Sequence, residues 1–256
     1  MSNAIAAAPS TVYVVTGANR GIGLAIAATL AKREHVLVLA AVRDPAKADA
    51  LKALAKETGH IELVEYESPS EDSAKALAQV IEEKAGKVDV VISNAGVQTD
   101  YEPITTAASH HLTTSFNVNV VGPVTLFQAL LPLLRKSAAP QFIGVSSAAA
   151  SNTLAVPLAT DSYSISKAAL NSAVRRMHVW HGEQDNIAAY TLHPGVVLTD
   201  MATAWKENAP ELQLPPEMIV SVEDSANAIV RLVEGATREN TGGRFWNAVD
   251  GTELPW

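Results

Sequence analysis

Short apolar, β-branched runs alternate along this chain with longer stretches in which apolar residues recur at helical spacing. The run Val36–Val42 is apolar throughout, as expected of a strand that is buried on both faces of a parallel sheet. In the stretch Pro45–Thr58, Leu51 and Leu54 instead share one face of a helix. This alternation predicts an α/β fold of the Rossmann type, with a doubly wound parallel sheet and helices on both faces.

The individual elements follow from the same pattern. Strands are predicted at Val12–Thr16, Val36–Val42, Ile61–Tyr66, Val88–Ser93, Gln141–Val145, Ile187–Leu192 and Gly243–Asn247. Helices are predicted at Ile22–Arg33, Pro45–Thr58, Ser70–Ala85, Thr106–Lys136, Ser162–His181 and Ser221–Glu234. Residues 200–220 have no clear period and contain three prolines, which is typical of a binding loop. We therefore predict a single domain, 1–256, with a flexible tail at 1–10 and a substrate-binding loop at 200–220.

Composition narrows the class of protein. The chain has 256 residues, of which 48% are hydrophobic, and this suits one large α/β domain. Its formal net charge of -8 argues against a nucleic-acid partner. It has no cysteine, so it has no disulfide and no thiolate nucleophile. Residues 1–10 contain no Lys or Arg, unlike a signal peptide, and the apolar runs look shorter than the roughly 20 residues that cross a bilayer. We expect a cytoplasmic protein with no membrane contact.

A glycine-rich turn follows the first predicted strand. Gly17, Gly21 and Gly23 let the backbone turn tightly and approach a pyrophosphate, and the next helix offers N–H groups and a partial positive charge. The spacing G-x-x-x-G-x-G differs from the general dinucleotide fingerprint. An ordinary strand-to-helix turn is the alternative interpretation, and the flanking strand and helix favour the cofactor.

Two arginines bear on which dinucleotide is bound. Arg20 lies inside the turn, and Arg43 follows the second strand, where NAD sites usually have an acidic residue. Two guanidinium groups suit a 2′-phosphate, so the sequence predicts NADP(H). Two solvated arginines, with Arg43 paired to Asp44, are the alternative.

Tyr163 and Lys167 are the candidate acid/base pair. They are four residues apart in Y-S-I-S-K and therefore share a helix face. The tyrosine pKa is ordinarily about 10, and we expect the neighbouring ammonium to lower it toward neutral pH. Together with a dinucleotide site, this pair indicates hydride transfer to a carbonyl.

In these motifs the chain resembles the short-chain dehydrogenase/reductase family. The matching segments are T-G-x-x-x-G-x-G at Thr16–Gly23, N-A-G at Asn94–Gly96, Asn119 in F-N-V-N-V-V-G, Ser147 in G-V-S-S, Y-x-x-x-K at Tyr163–Lys167 and P-G-x-x-x-T at Pro194–Thr199. Any one of these motifs is a weak signal, but six in this order are specific for the family. Within the family, the glycine turn and the closing D-G-T-E-L-P-W resemble carbonyl reductases of the sniffer and C-factor kind and fungal norsolorinic acid reductases.

The resemblance implies a role for each matching residue. Tyr163 would protonate the carbonyl oxygen, Ser147 would bind that oxygen, and Lys167 would bind the nicotinamide ribose. Asn119 would hold a water that links Lys167 to solvent. The cofactor would contact Gly17, Asn19, Arg20, Gly21, Ile22, Gly23, Arg43, Glu67, Asn94, Ala95, Gly96, Tyr163, Lys167, Pro194, Gly195, Val197 and Thr199.

The chain departs from the family pattern at three places. Glu67-Ser68 replaces the usual Asp-Val after the third strand, and the longer Glu67 carboxylate would accept the bond from the adenine amino group. Ser146 and Ser147 are adjacent, and we choose Ser147 because it lies further past the strand. Thr160-Asp161 is an insertion before the tyrosine that would reshape the substrate mouth.

The expected function is that of an NADPH-dependent carbonyl reductase acting on a small ketone or aldehyde. Apolar residues in the predicted loop favour an apolar or aromatic substrate: Met201, Trp205, Leu212, Leu214 and Met218. An NAD-dependent alcohol dehydrogenase acting oxidatively and a non-catalytic cofactor sensor are the alternatives. The histidine pairs at 110–111 and 178/181 lack further ligands at metal spacing, so no metal is expected. The resemblance also implies a homodimer or homotetramer.

Overall fold

A computed structural model describes residues 11–156, 159–197, 199 and 219–256. Seven strands form one parallel sheet in the order β3-β2-β1-β4-β5-β6-β9. They are β1 Thr11–Thr16, β2 Val36–Val42, β3 Ile61–Glu65, β4 Val90–Ser93, β5 Gln141–Val145, β6 Ala188–His193 and β9 Phe245–Asn247. Two short strands, β7 Val196–Val197 and β8 Ile219–Val220, pair separately. The predicted fold class is confirmed. Most of the predicted loop at 200–220 lies outside the described residues, but its last two residues form β8.

Seven α-helices are present among the described residues. They are α1 Gly21–Leu30, α2 Asp49–Thr58, α3 Glu71–Ala85, α4 Ser109–Phe116, α5 Gly122–Leu134, α6 Asp161–Asp185 and α7 Val222–Gly235. A wide π-helical turn, Asn117–Val121, joins α4 to α5 without a break, so the long helical stretch predicted there is continuous and only widens at this turn. Helix α6 runs beyond the predicted end at His181 because His181 bonds Asp185 one turn on, and Asn186 then ends it in a left-handed conformation.

The sheet separates two apolar cores. In β1, Tyr13 and Val15 face the core that includes α1 and α7, whereas Val12 and Val14 face the core that includes α3, α5 and α6. Both faces of the central strands are therefore buried, and this explains their nearly continuous apolar sequence.

The long apolar segment Ser109–Leu134 corrects one expectation. It has 26 residues and a stretch of mean hydropathy 1.4, so among the described residues one helix is long and apolar enough to cross a membrane. The expectation that no apolar run reaches this length is wrong. More than half of that stretch (56%) is buried inside the fold, where Leu126, Leu130 and Leu134 pack against the sheet. Its apolar composition is thus explained by the core.

The strand order reverses at β1, which lies between β2 and β4. Crossovers on either side of this point turn away from each other and leave a crevice at the carboxyl ends of the strands, which is where open α/β sheets bind ligands. The glycine-rich turn after β1 and the N-A-G segment after β4 both lie at this edge.

Candidate active site

The glycine turn after β1 depends on the absence of side chains. Gly17 and Gly21 adopt positive φ angles of 65° and 54°. A Cβ on Gly23 would lie 2.3 Å from the carbonyl oxygen of Gly17, closer than any side chain tolerates. This close packing forms a compact cradle between strand and helix.

The cradle opens at the N-terminus of α1. Arg20 is the N-cap residue, and its side chain makes no capping hydrogen bond. The first-turn N–H groups and the helix dipole are therefore available to an anionic group such as a pyrophosphate. Asn19 and Arg20 are both exposed here, while Ile22 is half-buried.

Asn94 and Thr16 join the ends of β4 and β1. The hydroxyl of Thr16 accepts from the backbone N–H groups of Asn94 and Ala95, each at 3.0 Å. The Asn94 amide donates to the Thr16 carbonyl at 2.9 Å. Asn94 therefore braces the glycine turn directly. Thr16 is a site residue that the sequence analysis did not assign, although it opens the glycine motif.

The two candidate groups for the adenosine side lie at the ends of β2 and β3. Arg43 and Glu67 are both exposed at this edge. Asp44 bonds Lys47 at 2.9 Å and caps the turn at Ala46. The ion-pair partner of Asp44 is therefore Lys47, and not Arg43 as in the alternative interpretation.

The π-turn presents Asn119 to the segment after β4. Its Oδ1 accepts from Val97 N at 2.8 Å, and its Nδ2 donates to Val97 O at 2.8 Å and to Ser166 Oγ at 2.9 Å. A Cβ on Gly96 would lie 3.1 Å from Asn119 Oδ1 and 3.2 Å from Lys167 Nζ. The Asn119 side chain thus fastens the loop to α6, and Gly96 allows the two to approach.

Lys167 is buried beneath the candidate tyrosine. Only 4% of the residue is exposed, and its Nζ donates to the Val145 carbonyl at 2.7 Å. The Nζ lies 5.6 Å from the centre of the Tyr163 ring. Burial lowers the pKa of Lys167 to about 8, because an ammonium is poorly solvated here. The predicted proximity of the two residues is confirmed.

The pKa of Tyr163 moves in the direction opposite to that expected. Burial raises the pKa of Tyr163 to about 12, and the nearby Ser147 side chain lowers it only in part. The expectation that Lys167 lowers this pKa is wrong for the chain alone. Desolvation of the phenolate dominates, and the Lys167 amine is committed to a backbone carbonyl.

The two adjacent serines face different partners. Ser146 is buried, and its hydroxyl lies 3.5 Å from the Lys167 carbonyl. Ser147 starts a 3₁₀ turn, Ala148–Ala150, and its Oγ accepts from Ala149 N at 3.2 Å. Ser147, and not Ser146, is the serine that acts on the pKa of Tyr163, and this favours Ser147 as the residue beside the tyrosine.

The segment after β6 reaches the glycine turn. Gly195 has a φ of 89°, and a Cβ there would lie 2.8 Å from Val249. Thr199 Cγ2 lies 3.5 Å from the position of a Cβ on Gly21. Ser225 fixes this segment by donating to the Pro194 carbonyl at 2.6 Å, a buried contact that the sequence motif did not reveal. Val197 is buried in β7. Met201, Trp205, Leu212, Leu214 and Met218 lie outside the described residues.

The histidines at 178 and 181 have other partners. His178 Nδ1 lies 3.2 Å from the Ile187 carbonyl, and His181 Nδ1 lies 2.6 Å from Asp185. Across the described ranges, no cluster of three or more His, Asp or Glu side chains is arranged to hold a metal ion.

A phosphate cradle at the switch point of a parallel sheet, beside a half-buried Tyr163 and a buried Lys167, defines a dinucleotide-binding oxidoreductase. The family model for short chain dehydrogenases matches residues 11–210. The chain belongs to the short-chain dehydrogenase family.

Known proteins resemble the chain over almost its whole length. The short-chain dehydrogenase srdF of Neurospora crassa is 35% identical over 260 residues, covering 98% of this chain and all of srdF. The norsolorinic acid ketoreductase of Aspergillus parasiticus is also 35% identical, covering 96% of this chain and 91% of that protein. NADPH-bound carbonyl reductase from chicken fatty liver has a TM-score of 0.86 at 29% identity, covering 97% of this chain and 100% of that one.

Proposed function

We propose that this protein is an NADPH-dependent carbonyl reductase that reduces an apolar or aromatic ketone or aldehyde. The observation that carries the proposal is the placement of Tyr163 beside the amine of buried Lys167, 5.6 Å from the ring centre, at the same sheet edge as the glycine cradle. The names of the chicken and Aspergillus proteins support a carbonyl substrate.

The chain's own residues supply the acid chemistry. When a carbonyl accepts a hydride, negative charge develops on its oxygen and needs donors at that position. The Tyr163 hydroxyl and the neighbouring Ser147 hydroxyl, which lowers the raised pKa of Tyr163 in part, are suited to donate to one oxygen. A Tyr163 pKa well above 7 keeps the phenol protonated, as a proton donor must be. NADPH, when bound, supplies the hydride.

The cofactor would be held by the glycine cradle, which a Cβ on Gly23 would fill. The N–H groups at the start of α1 would bind the pyrophosphate, and Lys167 would bind the ribose next to the nicotinamide. Two exposed arginines, Arg20 and Arg43, suit a 2′-phosphate and support NADPH over NADH. NADPH bound to the chicken enzyme is consistent with this preference.

A homodimer or homotetramer and a cytoplasmic location stay predictions. Trp180 on α6 is 71% exposed and Val179 is 60% exposed, so this helix offers apolar surface to a second copy. Sedimentation velocity of the wild type measures the assembly state, and a monomer at micromolar concentration would contradict the prediction.

The test follows NADPH and NADH absorbance with a panel of aliphatic and aromatic ketones. Tyr163→Phe keeps the ring and removes the proton donor, so we expect kcat to fall by at least about 10²-fold. Tyr190→Phe is the matched control, because Tyr190 is a buried tyrosine whose hydroxyl bonds Gln141 in the core. We expect this control to keep wild-type kcat. A Tyr163→Phe enzyme as active as the wild type would refute the proposed mechanism.

A further inference from the structure

Two carboxylates connect the loop after β4 to the first turn of α6. The Ser162 hydroxyl donates to Asp100 Oδ2 at 2.6 Å. The Ile104 backbone N–H donates to Asp161 Oδ2, also at 2.6 Å. Asp161 and Ser162 directly precede Tyr163, so both contacts act on the turn that carries the proposed proton donor.

This helix start needs support from outside the helix. Thr160 is the N-cap residue of α6, but its side chain makes no capping hydrogen bond. An uncapped helix terminus frays more readily than a capped one. The Asp100 and Asp161 contacts satisfy none of the N–H groups of this turn, but they tie it to a distant segment of chain.

Asp100 is buried at a cost. It is 5% exposed and Ser162 is 1% exposed. The second carboxylate oxygen, Oδ1, is buried, and no hydrogen-bond partner for it exists within the described part of the chain. The Ser162 hydroxyl therefore supplies a hydrogen bond that offsets part of the cost of burying this carboxylate.

The loop that carries Asp100 is also held at its start, beside the proposed cofactor site. Three residues before Asp100, both backbone polar groups of Val97 bond the Asn119 amide. Between them, the Thr99 hydroxyl contacts the His111 carbonyl and the Ser115 hydroxyl. The loop is therefore short and fixed at both ends. One end lies where Gly96 approaches Lys167, and the other contacts the turn that bears Tyr163.

We propose that Asp100 is a positioning residue for Tyr163, acting through the hydroxyl of Ser162. The inference rests on the proposed reductase function. Asp100 Oδ2 fixes the first turn of α6 relative to the segment after β4, and so sets the position of the phenol over the cofactor. The carboxylate need only accept one hydrogen bond, so its negative charge is dispensable.

The experiment uses NADPH and a ketone that the wild type reduces. It measures kcat and KM in four variants: Asp100→Ala, Ser162→Ala, the double variant and Asp100→Asn. We expect each single alanine variant to lose about tenfold in kcat, since small misplacement of a catalytic group slows reaction strongly. The double variant should lose about as much as either single one, because both remove the same contact. KM for NADPH should not change.

Asp100→Asn is the conservative rescue, because its amide oxygen still accepts from Ser162. We expect it to keep kcat within about twofold of the wild type, a result that general loss of stability would not give. Ser164→Ala is the matched control at the same turn. It removes a hydroxyl contact with Thr160 and leaves Asp100 untouched, so kcat should stay at the wild-type value. Melting curves establish that each variant is folded at the assay temperature.

The outcomes separate the two proposals. A wild type without turnover refutes the reductase function, and the positioning role falls with it. An active wild type with Asp100→Ala or Ser162→Ala at full rate overturns the positioning role alone. The positioning role is also overturned if the kcat losses of the two single variants multiply in the double variant. It is overturned as well if Asp100→Asn loses as much kcat as Asp100→Ala.

Discussion

The amine of Lys167 lies 2.7 Å from the carbonyl oxygen of Val145, the last residue of β5. A single buried hydrogen bond therefore joins the helix that carries Tyr163 to the strand that leads into Ser147. The same contact holds a titratable amine in a nearly buried position. It makes Lys167 both a structural link and a site of pH dependence.

Lys167→Met should reduce turnover strongly. The substitution keeps the length and apolar part of the side chain but removes the amine, so we expect kcat to fall by about 10²-fold or more. NADPH binding, followed by fluorescence, should weaken as well. Lys136→Met is the control, since Lys136 pairs with Glu82 on the surface. Unchanged kcat in Lys167→Met would remove Lys167 from the mechanism.

Stability should rise with pH because of Lys167. Its pKa falls from 10.5 in the free side chain to about 8 in the folded chain. Between pH 8 and 10.5 the unfolded chain therefore binds more protons at this position than the folded chain, so the folded state gains stability as pH rises. The cost of burying the ammonium is present in full below pH 8.

The measurement is the difference in free energy of unfolding between wild type and Lys167→Met across this pH range. Other titrating groups cancel in that difference. We expect the wild type to gain on the variant by up to about 3 kcal/mol. A difference that does not vary with pH would show that the amine titrates normally.

Gly23→Ala should disrupt the cofactor cradle. A Cβ at this position meets Gly17 O at 2.3 Å and Asn94 Nδ2 at 2.6 Å, so the turn must move. We expect a loss of about 2 kcal/mol or more in stability, as for other overpacked positions, and loss of NADPH binding. Gly235→Ala in α7 is the control, because nothing lies within 4 Å of its Cβ. That change should be neutral or stabilising by about 0.5–1 kcal/mol. Normal NADPH affinity in Gly23→Ala would contradict the cradle.

Arg43→Ala should change cofactor preference. If its guanidinium binds the 2′-phosphate, removing it costs a charged hydrogen bond, so KM for NADPH should rise about tenfold or more. KM for NADH should stay constant, because NADH lacks that phosphate. Arg231→Ala on the exposed face of α7 is the control for general loss of positive charge. Equal effects on the two cofactors would refute the role of Arg43.

The sequence by itself determined the features that depend on local spacing. The period of apolar residues specified strands and helices, and the four-residue interval brought Tyr163 and Lys167 to one helix face. The glycine spacing indicated a phosphate cradle because residues without a side chain let the backbone turn tightly and approach a phosphate. The tertiary structure then showed how closely Gly23 packs against Gly17.

Only the tertiary structure decided the properties that depend on burial and on contacts distant in sequence. The pKa of Tyr163 rises rather than falls because desolvation outweighs the neighbouring amine, and a spacing of residues carries no measure of solvent exposure. The contact of Asp100 with Ser162 joins residues 62 apart in sequence. It exists because strand order brings the loop after β4 beside the start of α6, and a one-dimensional pattern does not specify strand order.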